Sequence, residues 1–174
     1  QWKGTVGDQQ ASAASDTTSY TGPAITGLSG LSSFETDGSD TDLVTITGTN
    51  FGPVDSTNVA IAVYQNSGLS STYASGEFTA VGCVVSVAHT EITCSPAAGA
   101  GKLQQWKVTV GDQQSAASSG TTSYTAPAIS GLSGLSSFKT DGSDEDLVTI
   151  TGTNFGVDDD DNVAIAVYQN ASLS

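Results

Sequence analysis

The chain has 174 residues, with four basic side chains, all lysine (Lys3, Lys102, Lys107, Lys139), against 18 acidic ones and a formal net charge of -14 at pH 7. Absent arginine and surplus carboxylate argue against binding a phosphate backbone, so nucleic acid is not an expected partner. No apolar run approaches the roughly 18 residues a membrane-crossing helix needs, and the 37% apolar content is enough for a sandwich core.

Charged residues are only 13% of the chain, below the quarter or so usual in soluble domains, and serine and threonine carry much of the polarity. That surface fits a secreted protein or one that meets cations. The chain contains no methionine and does not open on a basic, then apolar, cleavable leader. It reads as a processed product or an excerpt, with any targeting segment outside it.

Strand signals dominate, and no segment shows sustained helical periodicity with caps. Ala24 to Phe34 (AITGLSGLSSF) reads as a first, glycine-broken strand. Leu43 to Thr49 (LVTITGT) follows, with Val44 and Ile46 inward and Thr45 and Thr47 outward. Asn58 to Tyr64 (NVAIAVY) puts Val59, Ile61 and Val63 on one face. CVVSVAHTEITC reads as two short strands around a turn near His89 and Thr90, with Cys83, Val85 and Val87 on one face and Ile92 and Cys94 likewise paired. Trp106 to Val110 alternates Trp106, Val108 and Val110 inward against Lys107 and Thr109 outward, and a last strand runs through Thr121 to Tyr124. Short strands with turn signals every ten or so residues make a β-sandwich the expected architecture.

Residues 1 to 70 recur at 105 to 174 at a constant offset of 104, without insertion or deletion and with fifteen differences. A period near 100 residues is a domain, not a solenoid turn of about 20 to 50. The fold class expected is therefore all-β, with sandwich domains in tandem. Residues 1–21 would be the terminal strands of a preceding repeat, 22–125 a complete domain and 126–174 the first part of the next. Most differences fall in polar stretches, such as Glu35 against Lys139, and the apolar pattern hardly changes. The junctions SYTGPAI and SYTAPAI are short, with Pro23 or Pro127 fixing the backbone, which predicts a fairly stiff rod. Two frames fit these ends: an arbitrary window on a longer array, which is preferred, or protomers completing one another by strand exchange, head to tail.

The segments PAITGLSGL (from Pro23), VTITGTNFG (from Val44), TEITCSPAAGAG (from Thr90) and WKVTVGDQQS (from Trp106), with a closing Tyr124 before Pro127, resemble the IPT/TIG domain. The resemblance covers the repeat from about Thr21 to Thr125 and implies an immunoglobulin-like fold. Family members occur in cell-surface receptors, secreted polysaccharide-active enzymes, Rel-type transcription factors and long surface proteins. The transcription-factor branch uses basic loops that this sequence lacks. Physical reasons accompany the motif: Gly48, Gly52 and Gly156 suit positive φ or close strand approach, Phe51 and Phe155 can tuck under the turn, and Asn50 and Asn154 can hydrogen-bond nearby backbone. The sequence departs from the family in the loop before this motif, where DGSDTD and DGSDED stand.

Two cysteines, Cys83 and Cys94, favour a disulfide over a pair of buried thiols, and a disulfide implies an oxidising compartment. Zinc is disfavoured, because two cysteines and His89 do not supply four ligands. The acidic loops offer calcium candidates at Asp37, Asp40, Asp42, Asp141, Asp144 and Asp146, with Glu145 and Asp158 to Asp161 nearby. Solvated turns are the preferred reading, so no cofactor is expected. Asn170-Ala171-Ser172 is an N-glycosylation sequon, and the Ser/Thr-rich stretches Ser12 to Thr21 and Ser115 to Thr125 permit O-linked sugar. Catalysis finds no triad or paired carboxylates, and His89 reads as a turn residue. The reading is a structural subunit of an extracellular filament or surface stalk, with glycans and adjacent copies of the repeat as partners. The alternative is an adhesin or carbohydrate-binding module, or an accessory domain of a secreted enzyme.

Overall fold

The computed structural model describes residues 1–39, 41–54, 61–66, 77–134 and 148–157. In chain order its strands are β1 (Thr5–Val6), β2 (Gln9–Gln10), β3 (Ala24–Gly30), β4 (Ser33–Phe34), β5 (Val44–Thr49), β6 (Ile61–Asn66), β7 (Phe78–Thr79), β8 (Val81–Val87), β9 (Glu91–Ser95), β10 (Gln104–Val110), β11 (Gln113–Gln114), β12 (Ser123–Tyr124), β13 (Ala128–Gly134) and β14 (Val148–Thr153). There is no helix among the described residues, so the chain is all-β. One sheet runs β3-β5-β9-β8 and the other β11-β10-β6-β7, while β4 and β12 form a short ladder of their own. Among the described residues the strand pairings are antiparallel except β12 with β4, which is parallel at Ser123 with Ser33 and Tyr124 with Phe34.

The alternation of VTITGT buries Val44 and Ile46 completely, and that of WKVTV buries Trp106 and Val108. These faces meet Ile92 and Cys94 from β9, Ala62 and Tyr64 from β6, and Phe34, Phe51 and Tyr124 in one core. Its centre is aromatic. The Tyr64 ring stacks on Trp106 at 4.3 Å between centroids and on Phe78 at 5.3 Å, while Phe34 meets Trp106 and Tyr124 edge-on.

Three strand expectations need correction. The segment expected as one strand, Ala24 to Phe34, is broken after Gly30: β3 pairs with β5, and after Leu31 and Ser32 the chain crosses to pair β4 with β12. On β6 the core face is Ala62 and Tyr64, while Val63, from the set Val59, Ile61 and Val63, is only half-buried and Val59 lies outside the described residues. Both faces of IAVY are apolar, so alternation does not choose between them, and the choice falls to the tyrosine that stacks on Trp106. In β8, register shifts between Val81 and Val84 and between Val85 and Val87 break the expected single face. Val87 is consequently exposed while Cys83 and Val85 pack against the core.

Strand β10 borders an irregular return segment, and side chains complete its ladder. Ser118 Oγ accepts the Trp106 N–H at 2.9 Å, and Ser115 Oγ accepts the Val108 N–H at 3.0 Å. Each serine then donates onward, to the carbonyls of Gly120 and Ala116 respectively. These hydroxyls stand where a regular strand would offer carbonyls, which keeps buried backbone donors satisfied.

Parts of this architecture form twice. The β13–β14 ladder pairs Ala128 with Thr153 through Gly134 with Val148, with a bulge between Ile129 and Gly131. Its counterpart β3–β5 pairs Ala24 with Thr49 through Gly30 with Val44, with the bulge between Ile25 and Gly27. Near the start, Trp2 Nε1 donates to Thr18 at 3.1 Å, as Trp106 Nε1 does to Thr122 at 2.9 Å. The copies are not equivalent in the core, however. Gly4 stands where Val108 is buried, and Ala11 and Ala14 stand where Ser115 and Ser118 bond, so the apolar pattern does change at one core position.

The ladders define two poles. The proximal pole carries the start of β3, the turn after β5, the turn around His89 and the β10–β11 hairpin. The distal pole carries the 37–42 loop, residues 96–103 and the end of β12. Truncating Trp106 removes a fully buried ring on which Tyr64 stacks and which Phe34 meets edge-on, so Trp106→Ala is expected to cost about 3–5 kcal/mol, read as a lowered midpoint in urea denaturation followed by circular dichroism.

Candidate functional site

At the heart of the distal pole two tyrosines share a closed set of hydrogen bonds with one backbone unit. The Ala97 N–H donates to the Tyr64 hydroxyl at 2.8 Å, the two phenol oxygens lie 2.8 Å apart, and the Tyr124 hydroxyl donates to the Ala97 carbonyl at 2.7 Å. With Tyr124 donating outward, Tyr64 donates to Tyr124 and the circuit closes. Burial raises the Tyr64 phenol above its ordinary value of 10.0, against the lowering effect of its bonds to Tyr124 and Ala97. Burial also raises Tyr124, and the neighbouring Tyr64 adds to the rise. The pair is a neutral clamp between β6, β12 and the segment after β9.

The disulfide joins Cys83 and Cys94, with Cα atoms 4.2 Å apart. It forms through the first bulge in β8, where Gly82 and Cys83 together face Cys94 between the pairs Val81 with Ser95 and Val84 with Thr93. Gly82 has φ 61°, the left-handed conformation that a glycine-led bulge needs. Both cysteines are thus oxidised, and the free-thiol alternative falls.

The GTNFG motif builds the proximal pole. Gly48 carries no Cβ because the Ala24 carbonyl and the Phe51 ring occupy that space, which leaves Phe51 fully buried. Asn50 takes φ 62° and its Nδ2 donates to the Gly22 carbonyl at 3.0 Å. The Phe51 N–H donates to the His89 carbonyl at 3.1 Å and the His89 N–H to the Gly52 carbonyl at 2.6 Å. His89, itself at φ 66°, is therefore a turn residue that ties the β8–β9 turn to this motif. Across the pole, Gly111 and Asp112 both have positive φ, as a two-residue hairpin requires. The hairpin presents Gln113, whose Nε2 donates to the Tyr20 carbonyl at 3.0 Å.

In the acidic loop two carboxylates serve the loop itself. Asp37 Oδ1 accepts from the Ser39 N–H at 3.1 Å and Asp42 Oδ2 from the Glu35 N–H at 2.9 Å. Among the described residues no three metal-ligating groups come together. Asp40, Asp141, Asp144, Glu145, Asp146, Asp158 to Asp161 and the sequon at Asn170 lie outside the described residues.

Sequence reasoning placed Asn50 near backbone without its partner, and it missed Gln113, the serine pair and the tyrosine circuit. The SY before each junction proline and the Ser/Ala differences between copies were the available signals.

Compared with known proteins, residues 23–126 match the family model of the IPT/TIG domain. No curated protein and no solved structure matches the chain.

Two outcomes follow from the clamps. Because both phenols are raised, the stability of their neutral form is fully present below about pH 10 and is lost as pH climbs through the folded-state values. Tyrosinate absorbance from Tyr64 and Tyr124 should therefore appear together with loss of the folded circular dichroism spectrum in an alkaline titration, and ionisation without unfolding would contradict the circuit. Cys83→Ala with Cys94→Ala should lower stability by about 2–4 kcal/mol, read as a fall in the thermal midpoint.

Proposed function

Because the chain belongs to the IPT/TIG domain family, we propose that its immunoglobulin-like domain is one unit of a tandem array that builds an extracellular filament or surface stalk. Family and fold together describe a structural or adhesion module. The observation that carries the finer reading is the repetition at offset 104 with only fifteen differences in seventy positions. An array needs many copies of one module, whereas neighbouring domains with separate tasks diverge. In this reading residues 1–21 close one unit, 22–125 form the next and 126–174 begin a third, and the units have no catalytic step of their own.

The chemistry of the surface supports an extracellular setting. The disulfide is of the kind that persists in oxidising compartments, and the low charge density with abundant serine and threonine suits a solvated, sugar-bearing exterior. Asn170 and the Ser/Thr-rich stretches are the proposed attachment points for glycans. Copies of the repeat, head to tail, are the proposed partners.

Electron microscopy of native material tests this directly. Regular fibres, with density beyond the polypeptide that shrinks on deglycosylation, are the expected outcome. Dispersed particles of domain size would overturn the array reading.

A further inference from the structure

The proximal pole holds a segment that belongs, by the repeat, to the unit before it. Tyr20 corresponds to Tyr124, the last core residue of the complete domain, and only Thr21 separates it from Gly22, where the next unit starts, just ahead of Pro23. Within these few residues, side chains from two different loops take hold of backbone carbonyls. Gln113, from the β10–β11 hairpin of one sheet, donates to the Tyr20 carbonyl. Asn50, from the turn that follows β5 in the other sheet, donates to the Gly22 carbonyl.

We propose that Asn50 and Gln113 form an amide clasp on the joint, Gln113 holding the closing segment of the preceding repeat and Asn50 the first residue of this one, and so fix the angle between consecutive units. The inference rests on the array reading for its partner, while the clasp itself stands on the geometry. Each part of it is prepared by the fold. The left-handed φ of Asn50 aims its amide back at the chain, a conformation asparagine tolerates better than most residues. Gly111 and Asp112 turn the hairpin so that Gln113 faces the same strand of backbone. Pro23 is buried and its φ is restricted by the ring, so the joint between the two grips has little freedom left to lose. At Gly22 an added Cβ would stand 3.2 Å from the Gln113 Oε1. The close fit of the amide over this glycine shows how tightly the segment is seated.

Both gripping groups are neutral. This matters in a chain of net charge -14, where acidic units brought end to end repel one another. Salt screens that repulsion, but hydrogen bonds from amide donors to carbonyls carry no net charge to screen. The joint should therefore hold its angle across ionic strength and without a cation. That separates it from a junction cemented by calcium on the acidic loops.

The test uses the full chain with nitroxide labels on Ser12→Cys, in the preceding segment, and Ser119→Cys, in the complete domain, with the native disulfide kept oxidised. Pulsed dipolar spectroscopy should give one narrow distance, unchanged by high salt or by a chelator. Asn50→Gly keeps the backbone conformation while removing the side chain, and combined with Gln113→Ala it should abolish the narrow peak with the thermal midpoint of the domain preserved. If the double variant does not fold, Gln113→Ala alone decides. A broad distribution in the labelled parent, or a narrow one that survives removal of the clasp, overturns the proposal. Broadening on chelation alone does so too, by assigning the joint to a cation. Failure of the array reading is seen separately: dispersed particles that still give a narrow distance leave the clasp standing.

Discussion

The stack of Tyr64 on Trp106 is the contact on which the sandwich depends. It sets the facing register of β6 and β10, which pair Trp106 directly with Tyr64. It also leaves an edge of each ring for others to meet. Phe34 approaches both edge-on, and aromatic pairs in such arrangements add attraction beyond the area they bury. Placing Phe34 there draws β4 away from β3 and toward β12, which explains why the first strand of the sequence divides between two ladders. With Tyr124 brought against Phe34, its hydroxyl reaches Tyr64 and Ala97, and the distal pole is closed by a polar circuit inside an aromatic wall. Leaving any of those hydrogen-bonding groups unmade in that wall would be costly, so packing and polarity constrain the same side chains.

What could be read from the sequence was whatever repeats with period two on one polar face. VTITGT and WKVTV alternate cleanly, so their buried residues followed from the pattern, and the cysteines were close enough in sequence for a hairpin bond to be inferred. β6 resisted because its neighbours on both faces are apolar, and only the size of Tyr64 against Trp106 decides which face turns inward. The division of β3 from β4 was hidden for a related reason: Gly30 and Ser32 signal a break but do not say that the next two residues join a different ladder. Asn50 and Gln113 lie 28 and 93 residues from the carbonyls they bind, and no local signal encodes such a partner. In the acidic loop the sequence showed turn-forming residues but not the partners: Asp37 accepts from the Ser39 N–H and Asp42 from the Glu35 N–H.

The family motif acquires a division of labour from this geometry. In GTNFG, Gly48 makes room, Phe51 fills it from below, and Gly52 accepts from His89 to fasten the β8–β9 turn. The asparagine side chain turns outward, to the Gly22 carbonyl where the chain enters the domain. The motif thus joins the inside of the sandwich to what precedes it, and a single short turn serves folding and connection together.

The parallel pairing of β4 with β12 has a mechanical meaning. Parallel neighbours run the same way, so the strand near the beginning of the domain and the strand that ends it place the incoming and outgoing chain at opposite poles. A pull along the chain therefore slides these strands past each other instead of peeling them apart. The bonds from the Ser123 N–H to Ser32 and from the Thr125 N–H to Phe34, with the hydroxyl contact between Ser33 and Thr125, would all be strained at once. A domain tied off in this way resists tension through the concerted failure of its fastenings, and resistance to such forced opening is governed by the rate of unfolding, not by equilibrium stability.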